Sequence, residues 1–264
     1  MRLALALLCL MPSTFAATRL SVSVVERRTG LFVGGLKAGD FTILEDKRPL
    51  AVESVEITPA GPLDVMLLLD TSLVGPVVQP FAASLIGQLQ EKDQMAVIGY
   101  HSSADLVQDF TSSKELLSKA VATVKFGNTP RVLDALSACI REGFDNAIYR
   151  RAVLLLTTGY DGGSRENERD VVRLARRNGV SIYPIYMAGA ERSMFETLAR
   201  ETGGAVFSLN NLRKNTAGQP GPRIFETVRQ TYIVTVTGNL SLGDKVKVEI
   251  RTPQKVFVSI LPLE

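Results

Sequence analysis

Hydrophobic and polar residues alternate with a period of two in the first part of the chain. Leu20, Val22 and Val24 form one such run, and residues 41–44 and 51–57 form two more. Glycine and aspartate residues separate these runs, which is typical of turns between antiparallel strands. We therefore predict a small antiparallel β-structure here, with no chemistry of its own.

The pattern then changes to continuous apolar runs that alternate with amphipathic segments. Residues 65–69 read Val-Met-Leu-Leu-Leu, as expected for a strand whose two faces are both covered by helices. Further strands are predicted at residues 95–100, 105–110 (a hairpin strand at the sheet edge), 151–156, 181–187 and 205–207. Helices are predicted at residues 76–91, 112–125, 130–146, 166–178 and 192–201, the second of which opens with a capping box at 112–115. Repeated strand–helix units favour an α/β fold with a Rossmann-like, doubly wound, mostly parallel sheet.

The alternating pattern returns at the end of the chain. Residues 210–222 are polar and contain proline and glycine, which indicates a linker, and residues 223–229 form a short helical stretch. Strands follow at residues 231–237, 245–251 and 255–261. Since neither outer group has enough strands to be stable alone, we expect the two groups to pair into one β-sandwich into which the α/β domain is inserted.

These patterns predict four segments. They are a signal peptide at residues 1–16, N-terminal strands at 17–60, the α/β domain at 61–212, and a linker, short helix and C-terminal strands at 213–264. The signal peptide is indicated by Arg2, a short apolar core and small residues up to Ala16. No other segment approaches the roughly 20 apolar residues of a membrane span. We therefore expect a secreted or periplasmic protein with no membrane insertion after cleavage.

Composition narrows the range of functions. The net charge is +3 with both signs interspersed, which predicts no nucleic-acid partner. Arginines between residues 165 and 177 alternate with acidic residues and indicate a solvated helix face. Cys139 is the single cysteine outside the signal segment and lies in an apolar helical pattern, so we expect it in the core. With one histidine and no cysteine pairs, we do not expect zinc or iron–sulfur chemistry.

Polar residues follow the apolar run at residues 65–69. Asp70 and Ser72 come directly after it, where the carboxyl end of a parallel strand meets ligands. Carboxylate and hydroxyl oxygens at this spacing suit a hard cation such as Mg²⁺. Asp-x-Ser-x-Ser is the first element of the metal-ion-dependent adhesion site of von Willebrand factor A domains, which the chain resembles. The resemblance implies a Rossmann-like fold, with Asp70, Ser72 and Thr129 as the metal ligands.

The chain departs from this family pattern in all three elements. Val74 replaces the last serine of the first element, and Thr158 stands where the third element has its aspartate. In the second element, Thr129 lies one residue further from Asp134 than in the family. Because Mg²⁺ usually needs one or two carboxylates and Asp70 alone remains, we expect no tightly bound metal. The alternative left open is a weak Mg²⁺ or Mn²⁺ site.

The resemblance implies a protein–protein interaction module that binds its partner through the loops at the C-terminal edge of the sheet. Leu73, Val74 and Pro76 would form an apolar centre, and Arg131 and Tyr160 around it belong to residue types that are enriched at binding hot spots. Thr158 and Asp161 complete the predicted partner-binding set. The alternative is a metal-dependent adhesion module that uses Asp70, Ser72 and Thr129.

Two further stretches resemble a bacterial group within this family. Residues 33–46 resemble its "gly-leu … asp-phe-thr-val … glu-asp-gly" opening, and Arg229 to Val234 resembles its Arg-x-x-Tyr tail. The group consists of von Willebrand factor A-related proteins that are abundant in Acidobacteria and mostly exported. The resemblance implies a similar exported protein.

Enzymatic alternatives find little support in the sequence. His101 is the single histidine, and no Gly-x-Ser-x-Gly elbow accompanies it, so a hydrolase is not expected. We expect His101 to be a solvated turn residue. The glycine-rich residues 159–164 precede a helix but lack the Walker lysine, which favours a turn over a phosphate site.

Overall fold

The structure is a computed structural model that describes residues 17–57, 61–73, 75–187, 192–215, 219–238, 240 and 246–262. The predicted signal peptide at 1–16 and the predicted contact residue Val74 lie outside the described residues. The strands are β1 (Ala17–Glu26), β2 (Phe41–Glu45), β3 (Arg48–Leu50), β4 (Val52–Ile57), β5 (Leu63–Asp70), β6 (Gln94–Tyr100), β7 (Ala104–Thr111), β8 (Arg150–Thr157), β9 (Val180–Tyr186), β10 (Phe207–Ser208), β11 (Tyr232–Thr237), β12 (Val246–Ile250) and β13 (Val256–Pro262). The helices are α1 (Gln79–Ile86), α2 (Lys114–Ala122), α3 (Val132–Glu142), α4 (Glu168–Arg177), α5 (Arg192–Thr202), α6 (Leu209–Asn215) and α7 (Pro220–Arg229).

A central sheet has the strand order β10-β9-β8-β5-β6-β7. Its neighbours pair in parallel except for β7, which runs antiparallel to β6 at one edge. Every residue of β5 is buried, because α1, α2, α6 and α7 cover one face of the sheet and α3, α4 and α5 cover the other. The predicted doubly wound α/β fold is confirmed, and the carboxyl ends of β5, β6 and β8 meet at one edge.

The outer strands form two antiparallel sheets, with the orders β13-β1-β11-β4 and β12-β2-β3. In the first sheet β1 lies between β11 and β13, so that Leu20 is opposite Val234 on one side and Pro262 on the other. A shared core lies between the two sheets and includes Val22, Ile43 and Val248. The prediction that residues 20–25 and 231–236 share a sheet is therefore confirmed.

A buried ion pair joins the last helix to the central sheet. The Arg229 guanidinium at the end of α7 donates to both oxygens of the buried Asp93 carboxylate. The same carboxylate accepts from the backbone N–H groups of Leu63 (3.0 Å) and Gln90 (2.7 Å). Three residues after Arg229, the Tyr232 hydroxyl donates to the Val33 carbonyl at 2.8 Å. The Arg-x-x-Tyr stretch therefore contacts both parts of the molecule, since Arg229 binds Asp93 of the α/β domain and Tyr232 binds Val33 of the N-terminal segment.

Several predicted boundaries are wrong. The predicted linker at 210–222 contains most of α6 and the first turn of α7, because Leu209 and Leu212 bury their side chains on the sheet and override the proline and glycine signals. A 3₁₀ turn at Gly75–Val77 delays the start of the first helix. Ser113, not Ser112, caps α2, accepting from Leu116 N–H at 3.3 Å.

Candidate functional site

Three loops meet at the carboxyl edge of the central sheet. The first loop (71–73 and 75–78) follows β5, the second loop (123–131) precedes α3, and the third loop (158–167) follows β8. Parallel pairing aligns Asp70 with Tyr100 and Leu69 with Leu156, which brings the ends of β5, β6 and β8 to the same level. The predicted site residues that the structure describes therefore lie at one edge of the sheet.

The Asp70 carboxylate is fully buried and connects the first and third loops. Its Oδ1 accepts from the Ser72 N–H at 3.0 Å. Its Oδ2 accepts from both the Thr158 N–H (3.2 Å) and the Thr158 hydroxyl (2.8 Å). Three hydrogen bonds from protein groups therefore stabilise this buried charge, and two of them come from Thr158, which replaces an aspartate in the family pattern.

Glycine allows the first loop to turn back on the strand that carries it. A Cβ atom on Gly75 would lie 2.1 Å from the Asp70 carbonyl oxygen, so a side chain cannot fit there. The Thr71 N–H and hydroxyl both donate to the Tyr100 carbonyl, at 2.8 and 3.0 Å. The Gly127 N–H of the second loop donates to the Thr71 carbonyl at 2.8 Å. The first loop is thus held by β6 and by the second loop.

Asp161 connects the third loop to α3. Its Oδ1 accepts from the Val132 N–H at 2.7 Å, at the first turn of the helix, where a carboxylate is stabilised by unpaired N–H groups. The same oxygen accepts from the Ser164 hydroxyl at 2.6 Å. Gly162 lies so close to Thr129 that a Cβ atom would be 2.1 Å from its methyl group. Asp161 and Thr129, both predicted site residues, are therefore part of the packing between the second and third loops.

Three buried polar atoms at this edge have no hydrogen-bond partner among the described residues. They are Ser72 Oγ, the Tyr100 hydroxyl oxygen and Arg131 Nε. Burial and then the Asp70 charge raise the pKa of Tyr100 well above 10, while the nearby Thr157 hydroxyl acts in the opposite direction. Tyr100 therefore keeps its proton at neutral pH.

The donor set fits a tightly bound divalent cation poorly. In the described ranges, no three His, Cys, Asp or Glu side chains are grouped closely enough to hold a metal ion. Asp70 is the one carboxylate that the first loop region offers, and the Thr158 hydroxyl is bonded to its Oδ2. Among the described residues, Ser72 Oγ and the Tyr100 hydroxyl oxygen are the buried side-chain oxygens at this edge without a hydrogen-bond partner. Mg²⁺ requires near-octahedral oxygen ligands and is usually bound through one or two carboxylates.

Apolar side chains project from the loops into solvent. Leu73 is 73% exposed and Tyr160 is 52% exposed. Val77 and Phe126 are also exposed, and sequence reasoning missed both. Their signal was an apolar residue within a loop: Val77 follows Pro76, and Phe126 lies between the polar Lys125 and Gly127.

His101 is not the solvated turn residue that we expected. Its side chain is only 17% exposed, because it packs against Gly127, where a Cβ atom would lie 2.4 Å from the ring. Nδ1 accepts from the Ser102 N–H at 2.7 Å, and Nε2 lies 3.7 Å from Asp105 Oδ2. The histidine therefore packs beneath the second loop, which the sequence could not indicate because Gly127 is 26 positions away.

Comparison with known proteins agrees with this architecture. The family model described as von Willebrand factor type A domain matches residues 64–220. A search of curated proteins gives no match. No helix in the described part of the chain is long and apolar enough to span a membrane.

Solved structures of similar fold include proximal thread matrix protein 1 from the mussel byssus. It has 19% sequence identity and a TM-score of 0.55, over 67% of this chain and 49% of that protein. This chain therefore spans about half the length of the mussel protein. The same mussel protein has also been solved with a zinc-occupied MIDAS motif. An aerotolerance-related membrane protein from Bacteroides fragilis has 13% identity and a TM-score of 0.47, over 55% of this chain and 90% of that one.

The matched residues cover more than half of the chain and include β5 to β10, the strands of the central sheet. They also include all three loops at its carboxyl edge. The chain belongs to the von Willebrand factor type A domain family.

Proposed function

We propose that this protein is a protein–protein interaction module that binds its partner through the three loops without a tightly bound metal. The observation that carries the proposal is the pair of hydrogen bonds from Thr158 to Asp70 Oδ2. Together with the Ser72 N–H on Oδ1, they satisfy the buried carboxylate and join the first and third loops through protein groups. Thr158 performs this task with an uncharged side chain, so the loops keep their arrangement without an ion.

The proposed contact surface has an apolar centre at Leu73, and Val74 is proposed to extend it. Tyr160 and the half-buried Arg131 lie in the neighbouring loops, and such residues frequently dominate binding energy when a partner desolvates them. Thr158 and Asp161 belong to the same proposed surface, as residues that position the third loop. Exposed Val77 and Phe126 would enlarge its apolar area.

One observation favours a second candidate, a metal-dependent adhesion module with Asp70, Ser72 and Thr129 as ligands. Ser72 Oγ is buried without a partner, as expected of a ligand that lacks its ion. The mussel protein carries zinc at its own MIDAS motif. Mg²⁺ or Mn²⁺ would then bind weakly and be completed by an oxygen from the partner.

We also propose where the protein is located and to which group within the family it belongs. The N-terminal segment supports export to the periplasm or the medium, and the two stretches at 33–46 and 229–234 support membership of the exported Acidobacterial-type group. We propose residues 61–212 as the binding domain and 17–60 with 213–264 as its β-sandwich support. His101 packs beneath Gly127 and no Gly-x-Ser-x-Gly elbow accompanies it in the sequence, which favours a binding protein over a hydrolase.

The test is a capture experiment with the immobilised mature protein and envelope extract from the producing organism, in Mg²⁺ or in EDTA. We expect the same captured protein in both buffers, and its loss with the double variant Leu73→Ala/Tyr160→Ala. The control is Ile148→Ala, which removes an equally exposed apolar side chain at the opposite edge of the sheet.

Calorimetric titration with Mg²⁺ and Mn²⁺ separates the two candidates. We expect no heat of binding for the unaltered protein and measurable binding for Thr158→Asp, which restores the second carboxylate. Capture that requires Mg²⁺, together with metal binding that Asp70→Ala abolishes, would establish the adhesion module instead. Capture unaffected by the loop variants would remove both candidates.

A further inference from the structure

A groove of about 350 Å³ lies between the edge strand β7 and helix α3. It is formed by the C-terminal half of α3 and the residues that follow it, including Ala138, Glu142 and Asn146. The second and third loops adjoin the opposite, N-terminal end of the same helix. The groove is therefore separate from the surface proposed above.

The floor of the groove is apolar. Met66, Ala96 and Ile98 project from the central sheet, and the buried Cys139 lies on the helix side. Leu106 of β7 lines the groove and is 62% exposed. A large apolar side chain exposed beside an apolar depression is stabilised when a partner covers both.

The rim of the groove carries only negative charge. Asp109, Glu142 and Asp145 line it and are exposed, and no lysine or arginine lines it. None of the three carboxylates forms an ion pair with a described residue. The chain as a whole is positively charged, at +3, so this acidic rim is a local feature.

The end of α3 adds to the negative potential. Glu142 is the last residue of the helix, where the unpaired carbonyl groups already carry partial negative charge and an acidic residue is unfavourable. Burial and the Glu142 charge raise the pKa of the Cys139 thiol to about 12, in agreement with a negative field across the floor. A cation bound at the rim would offset this repulsion.

We propose that the groove binds a segment of a partner protein in which a lysine or arginine is flanked by apolar side chains. The basic group would pair with Asp109, Glu142 and Asp145, and the apolar side chains would cover Leu106 and the floor. A volume of about 350 Å³ is at the lower limit for a small-molecule site and accommodates one or two side chains of an extended peptide. The proposal is independent of the loop surface.

The probe is a fluorescently labelled short peptide in which leucine alternates with lysine, titrated against the mature protein and followed by anisotropy. The groove variant is Asp109→Asn/Glu142→Gln/Asp145→Asn. The matched control, Glu56→Gln/Glu91→Gln/Glu115→Gln, removes the same charge from exposed positions outside the groove. We expect the groove variant to bind the peptide at least about tenfold more weakly, which corresponds to about 1.4 kcal/mol in binding free energy. The control should bind the peptide within about twofold of the unaltered protein.

Ala138→Trp tests the shape of the groove without changing its charge, because residue 138 is an exposed helix position that lines it. We expect the larger side chain to block the peptide while circular dichroism stays unchanged. Equal weakening by the groove variant and the control would overturn the proposal, because binding would then be general electrostatics. Full competition by a simple alkylamine would assign the groove to small organic cations instead. Self-association that the groove variant abolishes would assign it to a second copy of this chain.

Discussion

At the scale of single residues, the central feature of the site is the buried Asp70 carboxylate and the groups that stabilise its charge. Asp70 has no exposure to solvent, so its charge must be met by an ion or by hydrogen-bond donors. Thr158 supplies two donors, and Ser72 supplies a third through its backbone. The Thr158 hydroxyl is the one donor of these three that depends on the identity of a side chain.

Thr158→Val tests this role, since valine has the same shape but lacks the hydroxyl donor. We expect the free energy of unfolding to fall by about 1.5–3 kcal/mol, the usual range for a hydrogen bond to a charged group. Urea denaturation measures the loss. In an Asp70→Asn background the same substitution should cost clearly less, because the buried charge is gone. Equal losses in both backgrounds would show that Thr158 does not act through Asp70.

The sequence could identify the positions of this site but not its interactions. Asp70, Ser72 and Thr158 were recognisable because each follows an apolar strand in the pattern of the family. The hydrogen bond between Thr158 and Asp70 joins residues 88 positions apart, and no local pattern contains it. The burial of His101 was missed for the same reason, since it depends on the absence of a side chain at Gly127.

At the scale of elements, helix α7 is held by a buried ion pair whose second member could not be identified from the sequence. Arg229 and Asp93 are 136 positions apart, and both are buried. The sequence marked Arg229 through its likeness to a family tail but gave no partner for it. The short helix α6 was missed because its two buried leucines lie within an otherwise polar stretch.

Breaking the buried pair should destabilise the protein far more than breaking an exposed pair on the same helix. Asp93→Asn leaves the Arg229 charge buried without a counter-charge, so we expect a loss of about 3–5 kcal/mol in the free energy of unfolding. Glu226→Gln removes the half-exposed partner of Arg223, and we expect about 0–1 kcal/mol. Thermal and urea unfolding of both variants provides the comparison. Similar losses in the two would mean that the Arg229–Asp93 pair does not fix α7.

At the scale of the whole molecule, the general architecture was predictable and the pairing within the second sheet was not. Continuous apolar runs predicted the parallel sheet, and the shortage of strands at each end predicted their association. Residues 48–50 form a separate strand that the alternation did not resolve, because Pro49 interrupts it. Which outer strand joins which sheet depends on packing in the shared core, and a single strand pattern does not specify that.

Two buried acidic groups predict how stability depends on alkaline pH. Burial raises the pKa of Cys139 from 9.0 to about 12 and that of Tyr100 well above 10. Because the folded form retains these protons and the unfolded chain releases them, their contribution is complete below pH 9 and is lost as the pH rises through the folded values. For Cys139 alone, three pH units correspond to at most about 4 kcal/mol, at roughly 1.4 kcal/mol per unit.

Urea unfolding at several pH values between 8 and 11 measures this loss for the unaltered protein and for Cys139→Ala. We expect stability to fall steeply above pH 9 in the first and more gently in the second, in which only Tyr100 of the two groups remains. Phe81→Leu serves as a core variant that keeps both groups and should retain the steep slope. Identical slopes for Cys139→Ala and the unaltered protein would contradict the assignment.

The position of β1 between β11 and β13 has a consequence for the order of folding. A chain synthesised from its N-terminus produces β1 before the other described strands, yet both neighbours of β1 lie within residues 232–262. The strands of the central sheet lie within residues 63–208 and can associate before β1 has paired with β11 and β13. Since closing such a distant contact is slow, closure of the sandwich is expected to complete folding. β1 is thus synthesised early and is expected to be among the last strands to pair. In a chain that ends after α7, both β11 and β13, the neighbours of β1, would be missing.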